Sequence, residues 1–145
     1  MAIIEESINI ECPVEKVFAY TTDASSWSKW QPTIKEAEQT SPGQVAIGTT
    51  FRWINHRAGL RMKVTAKVTE YELNKRWSKN IATRIWSMED NLSFDAVGGG
   101  TKFTLRWDMK ITGVFIILSP MLVRMARKSM KEALNNIKSI LEAQT

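Results

Sequence analysis

Hydrophobic and polar residues alternate along much of the chain, and this period of two predicts a largely antiparallel β-sheet. Residues 3–11 form the first predicted strand, with one acid, Glu6, on its apolar face. Residues 33–40 are polar and predict an edge strand. From Thr49 onward, the positions predicted to face inward are, strand by strand, Phe51, Trp53 and Asn55; Met62, Val64, Ala66 and Val68; Trp77, Ile81 and Ile85; Trp86, Met88, Leu92 and Phe94; and Phe103, Leu105, Trp107, Met109 and Ile111. Such alternation is typical of a sheet that is covered on one face and wet on the other.

Helical spacing interrupts this alternation directly after the first strand. Pro13 is expected to open a short helix, because the first turn of a helix does not need the N–H that proline lacks. Asp23 is the expected N-cap of a second short helix, which carries Trp27 and Trp30 and stops at Pro32. The sequence therefore predicts two short helices between the first strand and the rest of the sheet.

A long amphipathic helix is predicted at the C-terminal end of the chain. Ser119 is its expected N-cap and Pro120 its first residue, and it runs to about Ala143. Its apolar stripe consists of Leu122, Ala126, Met130, Ala133, Leu134, Ile137 and Leu141. A single helix is only about 10–12 Å across, so a wide curved sheet wrapped around it is expected to leave a gap lined by side chains. Small ligands bind in such gaps.

Several short motifs occur in order along almost the whole chain: residues 8–18 (INIECPVEKVF), Asp23 with residues 27–32 (WSKWQP), residues 48–49 (GT), residues 99–101 (GGT) and residues 134–138 (LNNIK). In content and spacing they resemble the START-like, helix-grip (SRPBCC) superfamily, and within it the polyketide cyclase/dehydrase and lipid transport group. The resemblance implies an α+β helix-grip fold over residues 1–145 as a single START-like domain. In this fold a curved antiparallel sheet of about seven strands wraps on a long C-terminal helix, and two short helices follow the first strand. The resemblance is less specific about a reaction, because the family includes cyclases, binders of lipids and quinones, and hormone receptors.

Composition and charge narrow the classes of partner. Hydrophobic residues make up 43% and charged residues 24% of the chain, as in an ordinary globular protein, and the net charge is +5. Because the lysines and arginines are spread along the chain, we expect no nucleic-acid partner. One local basic cluster is expected to be a solvated helix face, and it consists of Arg124, Arg127, Lys128 and Lys131.

The scarcity of two residue types excludes several kinds of site. With only Cys12 and His56, the chain cannot form an intrachain disulfide or a thiolate–imidazole metal cluster, and we expect no metal and no cofactor.

Residues 2–12 carry acids where a secretory signal needs an apolar run, which favours a cytoplasmic protein. Residues 113–123 are apolar but much shorter than the roughly 20 residues that span a bilayer, so at most transient membrane contact is expected. The oligomeric state stays open.

Asp90 is the main candidate for chemistry, because period two places it on the apolar face of its strand with Met88 and Leu92. A carboxylate that faces an apolar interior needs a partner, and Lys79 and Thr83 are the nearest candidates. Asp90 and Lys79 are therefore weak candidates for catalytic acid and base, or for a hydrogen-bonding anchor of a ligand. The alternative is that Asp90 reaches solvent near a strand end or forms an ordinary ion pair with a nearby Lys or Arg.

Aromatic and methionine side chains on the inward faces form the candidate ligand-binding set. The chain has 6 Trp and 7 Met residues, which make an adaptable surface for a flat or flexible apolar ligand. The alternative is that they pack the core. The residues predicted to contact a ligand are Trp30, Phe51, Trp53, Asn55, Met62, Val64, Met88, Asp90, Trp107, Met109, Met125, Ser129 and Met130.

Three functions stay open at the level of the sequence. The leading hypothesis is a protein that binds a hydrophobic small molecule (lipid-, quinone- or polyketide-like) in a cavity between the sheet and the C-terminal helix. The second is an enzyme of cyclase or dehydrase type, which acts on a polyketide-like substrate with Asp90 and an inward Lys or Thr as acid and base. The third is an interaction module whose Trp-rich rim contacts another protein. Binding is favoured over catalysis, because the sequence alone does not bring two titrating groups together.

Overall fold

Seven antiparallel strands form one curved, open sheet. The computed structural model describes residues 2–57, 59–84, 86–111 and 113–144, except the side chains of Val114 and Phe115. The strands are β1 (Ala2–Ile10), β2 (Ile34–Gln39), β3 (Thr50–Arg57), β4 (Leu60–Glu72), β5 (Arg76–Ala82), β6 (Trp86–Val97) and β7 (Gly100–Ile111). Their order across the sheet is β1-β7-β6-β5-β4-β3-β2. The predicted sheet is confirmed, and Ile85 lies outside the described residues.

A tight turn between β6 and β7 and an irregular edge strand are two local features of this sheet. Gly98 and Gly99 have φ of 56° and 87° and form a two-residue turn, since Val97 pairs directly with Gly100 across β6 and β7. The polar strand β2 lies at one edge, as predicted, and its pairing with β3 shifts register after Lys35. Such an irregularity is a common way to interrupt an exposed sheet edge.

Two short helices follow β1, as predicted, and a helix of 24 residues ends the fold. The helices are α1 (Val14–Thr22), α2 (Trp27–Trp30) and α3 (Ser119–Glu142). A 3-10 turn at Ala24–Ser26 leads into α2. Asp23 caps this turn, because its Oδ1 accepts a 3.0 Å hydrogen bond from the Ser25 N–H.

The start of α3 differs from the prediction by one residue. Ser119 is the first residue of the helix rather than its N-cap, and the N-cap is Leu118, which makes no side-chain cap hydrogen bond. A 3-10 turn at Gly113–Leu118 runs directly into the helix, so Leu118 already has φ −88° and ψ 0°. No extended residue is left from which a serine side chain can cap the helix. Pro120 lies in the first turn, as expected.

Aromatic residues pack the part of the concave face next to α1 and α2. The Trp27 ring lies 4.7 Å from that of Phe51 and 6.2 Å from that of Trp77, and Phe94 stacks on Phe103 at 5.0 Å. The buried side chains of α3 are Ser129, Met130, Ala133, Leu134, Ile137 and Leu141. All described side chains of α3 before these are exposed or only half-buried, so the dense core ends partway along the helix.

An acid on the apolar face of β1 helps to hold α3 in place. Glu6 lies 3.2 Å from Arg127 Nη1 and 3.9 Å from Lys131 Nζ, both on α3. The pairing explains why this face carries a carboxylate, and it uses two members of the predicted basic cluster.

A second polar contact fixes the C-terminal end of α3. Glu142 Oε2 accepts hydrogen bonds of 2.8 Å from the Glu11 backbone N–H and 2.7 Å from Lys138 Nζ. Lys138 Nζ also donates to the Asn9 carbonyl at 2.6 Å. The Glu11 N–H, and after it the Lys138 ammonium, lower the pKa of Glu142 from its ordinary value of 4.5.

We expect Glu142→Gln to remove a pH-dependent part of the stability. Because the pKa of Glu142 is lowered in the folded state, its contribution is present in full above the ordinary value of 4.5 and is lost as pH falls through the lower folded-state pKa. Urea unfolding from neutral pH to about pH 3 should therefore give free energies of unfolding for the wild type and Glu142→Gln that differ at neutral pH and converge in acid. Glu132→Gln, at an exposed position of α3, is the control and should follow the wild type throughout. A difference between Glu142→Gln and wild type that does not change with pH would contradict this account.

Candidate functional site

A cavity of about 170 Å³ lies between the concave face of the sheet and the first part of α3. For comparison, a cavity of about 150 Å³ holds one benzene-sized molecule. The apolar lining consists of Ile34, Trp53, Ile81, Trp86, Met88, Trp107, Met109, Ile111, Leu122, Met125 and Ala126. The polar lining consists of Gln31, Thr33, Asn55, Arg57, Lys79, Asp90 and Ser129. A mainly apolar wall with a few polar groups is the usual make-up of a small-molecule site.

Most of the residues predicted to contact a ligand line this cavity. They come from β3, β6, β7 and α3, and they are Trp53, Asn55, Met88, Asp90, Trp107, Met109, Met125 and Ser129. Lys79, the second predicted acid–base candidate, joins them from β5. The alternation of the sequence therefore places these side chains on the correct face of the sheet.

The other predicted residues do not line the cavity. Those buried in the dense core instead are Trp30, Phe51, Val64 and Met130. Phe51 packs against Trp27, and the Trp30 ring lies 6.1 Å from that of Phe103. Met62 is half-buried close to the start of β4. Period two identifies the face of a strand but not where another element covers that face, and Phe51 lies where Trp27 of α2 fills the space. Trp30 belongs to α2 itself and packs into the core with it.

Several cavity residues are missing from the predicted set. Arg57 continues the period of two from Trp53 and Asn55, so the same alternation is the signal that identifies it. Ile81 and Trp86 likewise lie on faces predicted to point inward. Leu122 and Ala126 belong to the predicted apolar stripe of α3, but the sequence does not show where this stripe leaves the core and borders the cavity.

Lys79, Asp90 and Trp107 form a row across three neighbouring strands on the cavity wall. Asp90 pairs with Lys79 across β5 and β6 and with Trp107 across β6 and β7. Lys79 Nζ donates to Asp90 Oδ2 at 2.7 Å, and Trp107 Nε1 donates to Asp90 Oδ1 at 2.9 Å. Lys79 is only 3% exposed and Asp90 only 5%. Both carboxylate oxygens therefore have partners, whereas Thr83, the other predicted partner, donates to the Trp86 carbonyl at 2.8 Å.

Two tryptophan rings lie against the ammonium group of Lys79. Lys79 Nζ lies 4.8 Å from the ring centroid of Trp27 and 4.5 Å from that of Trp77. Thr21 holds both rings, because its carbonyl accepts from Trp27 Nε1 at 2.7 Å and its Oγ1 accepts from Trp77 Nε1 at 3.1 Å. Attraction between the cation and the rings offsets part of the cost of removing the ammonium from water. The dense core therefore supports the ion pair that lines the cavity.

The row offers hydrogen bonds to a polar group of a bound molecule. An ammonium group has three donors, and Lys79 uses one of them on Asp90. A carbonyl or hydroxyl group that enters the cavity meets this charged donor beside a charged acceptor. The arrangement can anchor such a group or, if a proton moves, act on it.

A second polar contact joins the end of β3 to α3. Arg57, the last residue of β3, donates from Nη2 to Ser129 Oγ on α3, and both residues line the cavity. The two polar contacts lie far apart along β4. Arg57 pairs with Leu60 at the start of this strand, whereas Lys79 pairs with Val68 further along it. The cavity therefore has two separate polar ends.

Other kinds of site are not formed by the part of the chain that the structure describes. His56 is exposed. Within the same ranges, no group of three or more His, Cys, Asp or Glu side chains is placed to hold a metal ion. No helix formed by these described residues is long and apolar enough to cross a membrane.

We expect Asp90→Asn to destabilise the fold by about 3–5 kcal/mol, because it leaves the buried Lys79 ammonium without a counter-charge. The double variant Lys79→Met with Asp90→Leu should recover part of this loss, since apolar residues of similar volume often replace a buried ion pair without cost. The recovery is incomplete because Trp107 Nε1 loses its acceptor. Urea unfolding of the single and double variants measures both effects.

The exposed pair of Arg61 and Glu36, 2.9 Å apart, provides the control for this experiment. Glu36→Gln should cost less than about 1 kcal/mol, because water screens an exposed ion pair. Equal losses at the buried and the exposed pair would contradict the burial of Lys79 and Asp90.

The chain is similar to known proteins in sequence and in fold. Residues 1–142 match the family described as polyketide cyclase/dehydrase and lipid transport. No protein of curated function matches the chain. Solved structures share its fold at low sequence identity. A protein from Thermus thermophilus has a TM-score of 0.84 at 16% identity, with 99% of each chain covered.

Two more of these structures come from Mycobacterium smegmatis and Streptomyces sp. R1128. The first, a START superfamily protein, has a TM-score of 0.82 at 14% identity, with 99% of each chain covered. The second, the Zhui aromatase/cyclase, has a TM-score of 0.84 at 14% identity and covers 97% of this chain and 93% of its own. At these identities the similarity concerns the fold alone.

Proposed function

The chain belongs to the polyketide cyclase/dehydrase and lipid transport family, and we propose that it binds a hydrophobic small molecule in the cavity between the sheet and α3. The observation that carries the proposal is the cavity itself, with its mainly apolar lining next to a dense aromatic core. Protein interiors are close-packed, and empty apolar space lowers stability. A preformed cavity of this kind therefore supports a ligand-binding role.

The dimensions favour a flat molecule of one or two rings or a short chain. The volume of about 170 Å³ is close to that of a cavity that holds one benzene-sized molecule, and it is smaller than the roughly 300–1,000 Å³ of sites for drug-sized ligands. Trp53, Trp86 and Trp107 offer ring surfaces, and Met88 and Met109 adapt to irregular shapes. A quinone- or polyketide-like ring suits this lining better than a long lipid chain does.

An enzyme of cyclase or dehydrase type is the second candidate, and one observation favours it. Lys79 Nζ and Asp90 Oδ2 are 2.7 Å apart and both residues line the cavity, so a polyketide-like substrate held there would meet an acid and a base. The fold of the aromatase/cyclase from Streptomyces sp. R1128 agrees with such a role. Binding stays the leading proposal, because Lys79 and Asp90 engage each other. An interaction module is favoured least, since that role needs no internal cavity.

We expect 2-naphthalenemethanol, a neutral molecule with two rings, to bind and to raise the melting temperature. A ligand that binds only the native state stabilises it by about 2.7 kcal/mol when its free concentration is 100 times its dissociation constant. Calorimetric titration and thermal unfolding measure the affinity and the shift. The absence of binding across a panel of one- and two-ring molecules, neutral, anionic and cationic, would overturn the proposal.

Two Trp substitutions on α3 test whether this binding takes place in the cavity. Met125→Trp replaces a flexible linear side chain with a bulky ring at a cavity-lining position, so the protein should fold and lose the thermal shift. Met121→Trp is the matched control, because it lies one turn earlier on α3 at a position that is 51% exposed. The control should keep the shift, and loss of binding in both variants would point to a site elsewhere.

An exposed apolar patch adjoins the cavity at the start of α3. Its members, which are 45–84% exposed, are Ile116, Ile117, Leu118 and Met121. Leu122, the next residue, lines the cavity, and the exposed Arg124 and Lys128 follow on the same helix. Apolar side chains beside basic residues are typical of a segment that touches an anionic lipid surface. This arrangement supports transient membrane contact while a ligand enters or leaves.

Ile117→Asp should weaken binding to vesicles made of equal parts of phosphatidylcholine and phosphatidylserine, because it places a charge in the apolar patch. Leu73→Asp, at a 65% exposed position directly after β4, is the control and should leave binding unchanged. Vesicle flotation at low salt compares the two variants with the wild type. If the wild type does not float with these vesicles, the membrane proposal fails.

A further inference from the structure

Arg57 brings a positive charge to the cavity that no carboxylate neutralises among the described residues. It lines the cavity from the end of β3, and its described side-chain contact is the hydrogen bond from Nη2 to Ser129 Oγ. Other arginines of the chain do form ion pairs with carboxylates, and these are Arg52, Arg61, Arg76, Arg106 and Arg127. Arg57 therefore differs from them both in its position and in its partner.

Among the described residues that line the cavity, the charges leave an excess of one positive charge. Lys79 and Asp90 form a buried pair and cancel each other. Arg57 remains, and a guanidinium group keeps its charge at any ordinary pH. Beside a mainly apolar wall, the half-buried guanidinium group attracts an anion more strongly than it would in bulk water. Its planar group of donors also matches the two oxygens of a carboxylate.

We propose that the ligand of this cavity is an amphipathic anion, with a carboxylate held by Arg57 beside Ser129 and an apolar body that extends toward Asp90 and Trp107. The proposal rests on the proposed ligand-binding function and adds the chemical class of the ligand. Asn55 lines the cavity two residues before Arg57 on the same face of β3 and adds a neutral amide to this end.

The register of the strands supports this orientation. Arg57 lies opposite Leu60 on β4, Trp53 lies opposite Val64, and Ile81 lies opposite Ala66. Lys79 lies opposite Val68, beyond the other three positions. The apolar side chains of Trp53 and Ile81 therefore separate the guanidinium group from the ion pair. This order suits a molecule with its acid at one end and a ring in the middle.

Three naphthalene derivatives of similar shape test the charge of the ligand: 2-naphthoate, 2-naphthalenemethanol and 2-naphthylmethylamine. We expect calorimetric titration at physiological salt to give an affinity at least tenfold higher for the carboxylate than for the alcohol, and the weakest binding for the amine. Equal affinities for the carboxylate and the alcohol would overturn the anion proposal and leave the proposed function intact. Failure of all three to bind would count against both.

Substitutions then test whether Arg57 is the group responsible. Arg57→Gln should lower the affinity for 2-naphthoate at least tenfold and leave that for the alcohol unchanged. Arg57→Lys should fall between wild type and Arg57→Gln, because lysine keeps the charge but not the planar donors. Arg61→Gln is the matched control, since it removes the same charge at an exposed position on the neighbouring strand.

The control separates a local contact from the attraction of a chain whose net charge is +5. An equal loss of 2-naphthoate affinity in Arg57→Gln and Arg61→Gln would overturn the assignment to Arg57. If Arg57→Gln fails to fold, the Arg57→Lys variant and the three ligands on the wild type still decide the question.

Discussion

One helix has to cover a sheet that is wider than the helix, and most of the structure follows from this constraint. The seven strands, spaced about 4.8 Å apart, span about 29 Å, whereas a helix with its side chains is about 10–12 Å across. Helices α1 and α2 and the aromatic residues of the core fill the space near the C-terminal part of α3. Contacts of Glu6 and Glu142 attach α3 to β1 and to the residue that follows it. The space left uncovered under the first part of α3 is the cavity.

The ion pair in this space is not explained by stability. Removing two charges from water costs several kcal/mol for each ion, and apolar side chains of the same volume would give a fold at least as stable. The structure instead surrounds the pair with partners: Trp107 donates to Asp90, and the rings of Trp27 and Trp77 cover Lys79. A purely apolar molecule would make no hydrogen bonds to the row of Lys79, Asp90 and Trp107. The presence of this row therefore argues for a ligand that carries a polar group.

The sequence predicts the architecture well and the site in part, for a physical reason. Period two determines which side of a strand a residue faces, and this information places Trp53, Asp90 and Trp107 correctly. It does not tell how far along that face the covering elements extend, since this depends on long-range packing. Met125 and Met130 illustrate the limit: both lie on α3, but Met130 is fully buried in the core and Met125 lines the cavity. The partnership of Lys79 with Asp90 could be predicted because neighbouring antiparallel strands place facing residues opposite each other.

The two polar ends of the cavity differ in what they can do to a bound molecule. Acid–base catalysis needs a group that releases and takes up a proton near neutral pH, and the guanidinium of Arg57 does not do so. Amine and carboxyl side chains such as those of Lys79 and Asp90 do serve as acids and bases, but these two hold each other at 2.7 Å, so a substrate has to break that contact before either group can act on it. Recognition requires no such step. Arg57, which has no carboxylate partner in the part of the chain that the structure describes, and the hydrogen-bonded row of Lys79, Asp90 and Trp107 can orient a molecule as they stand. The polar groups of this cavity are therefore better arranged to hold a ligand than to transform one.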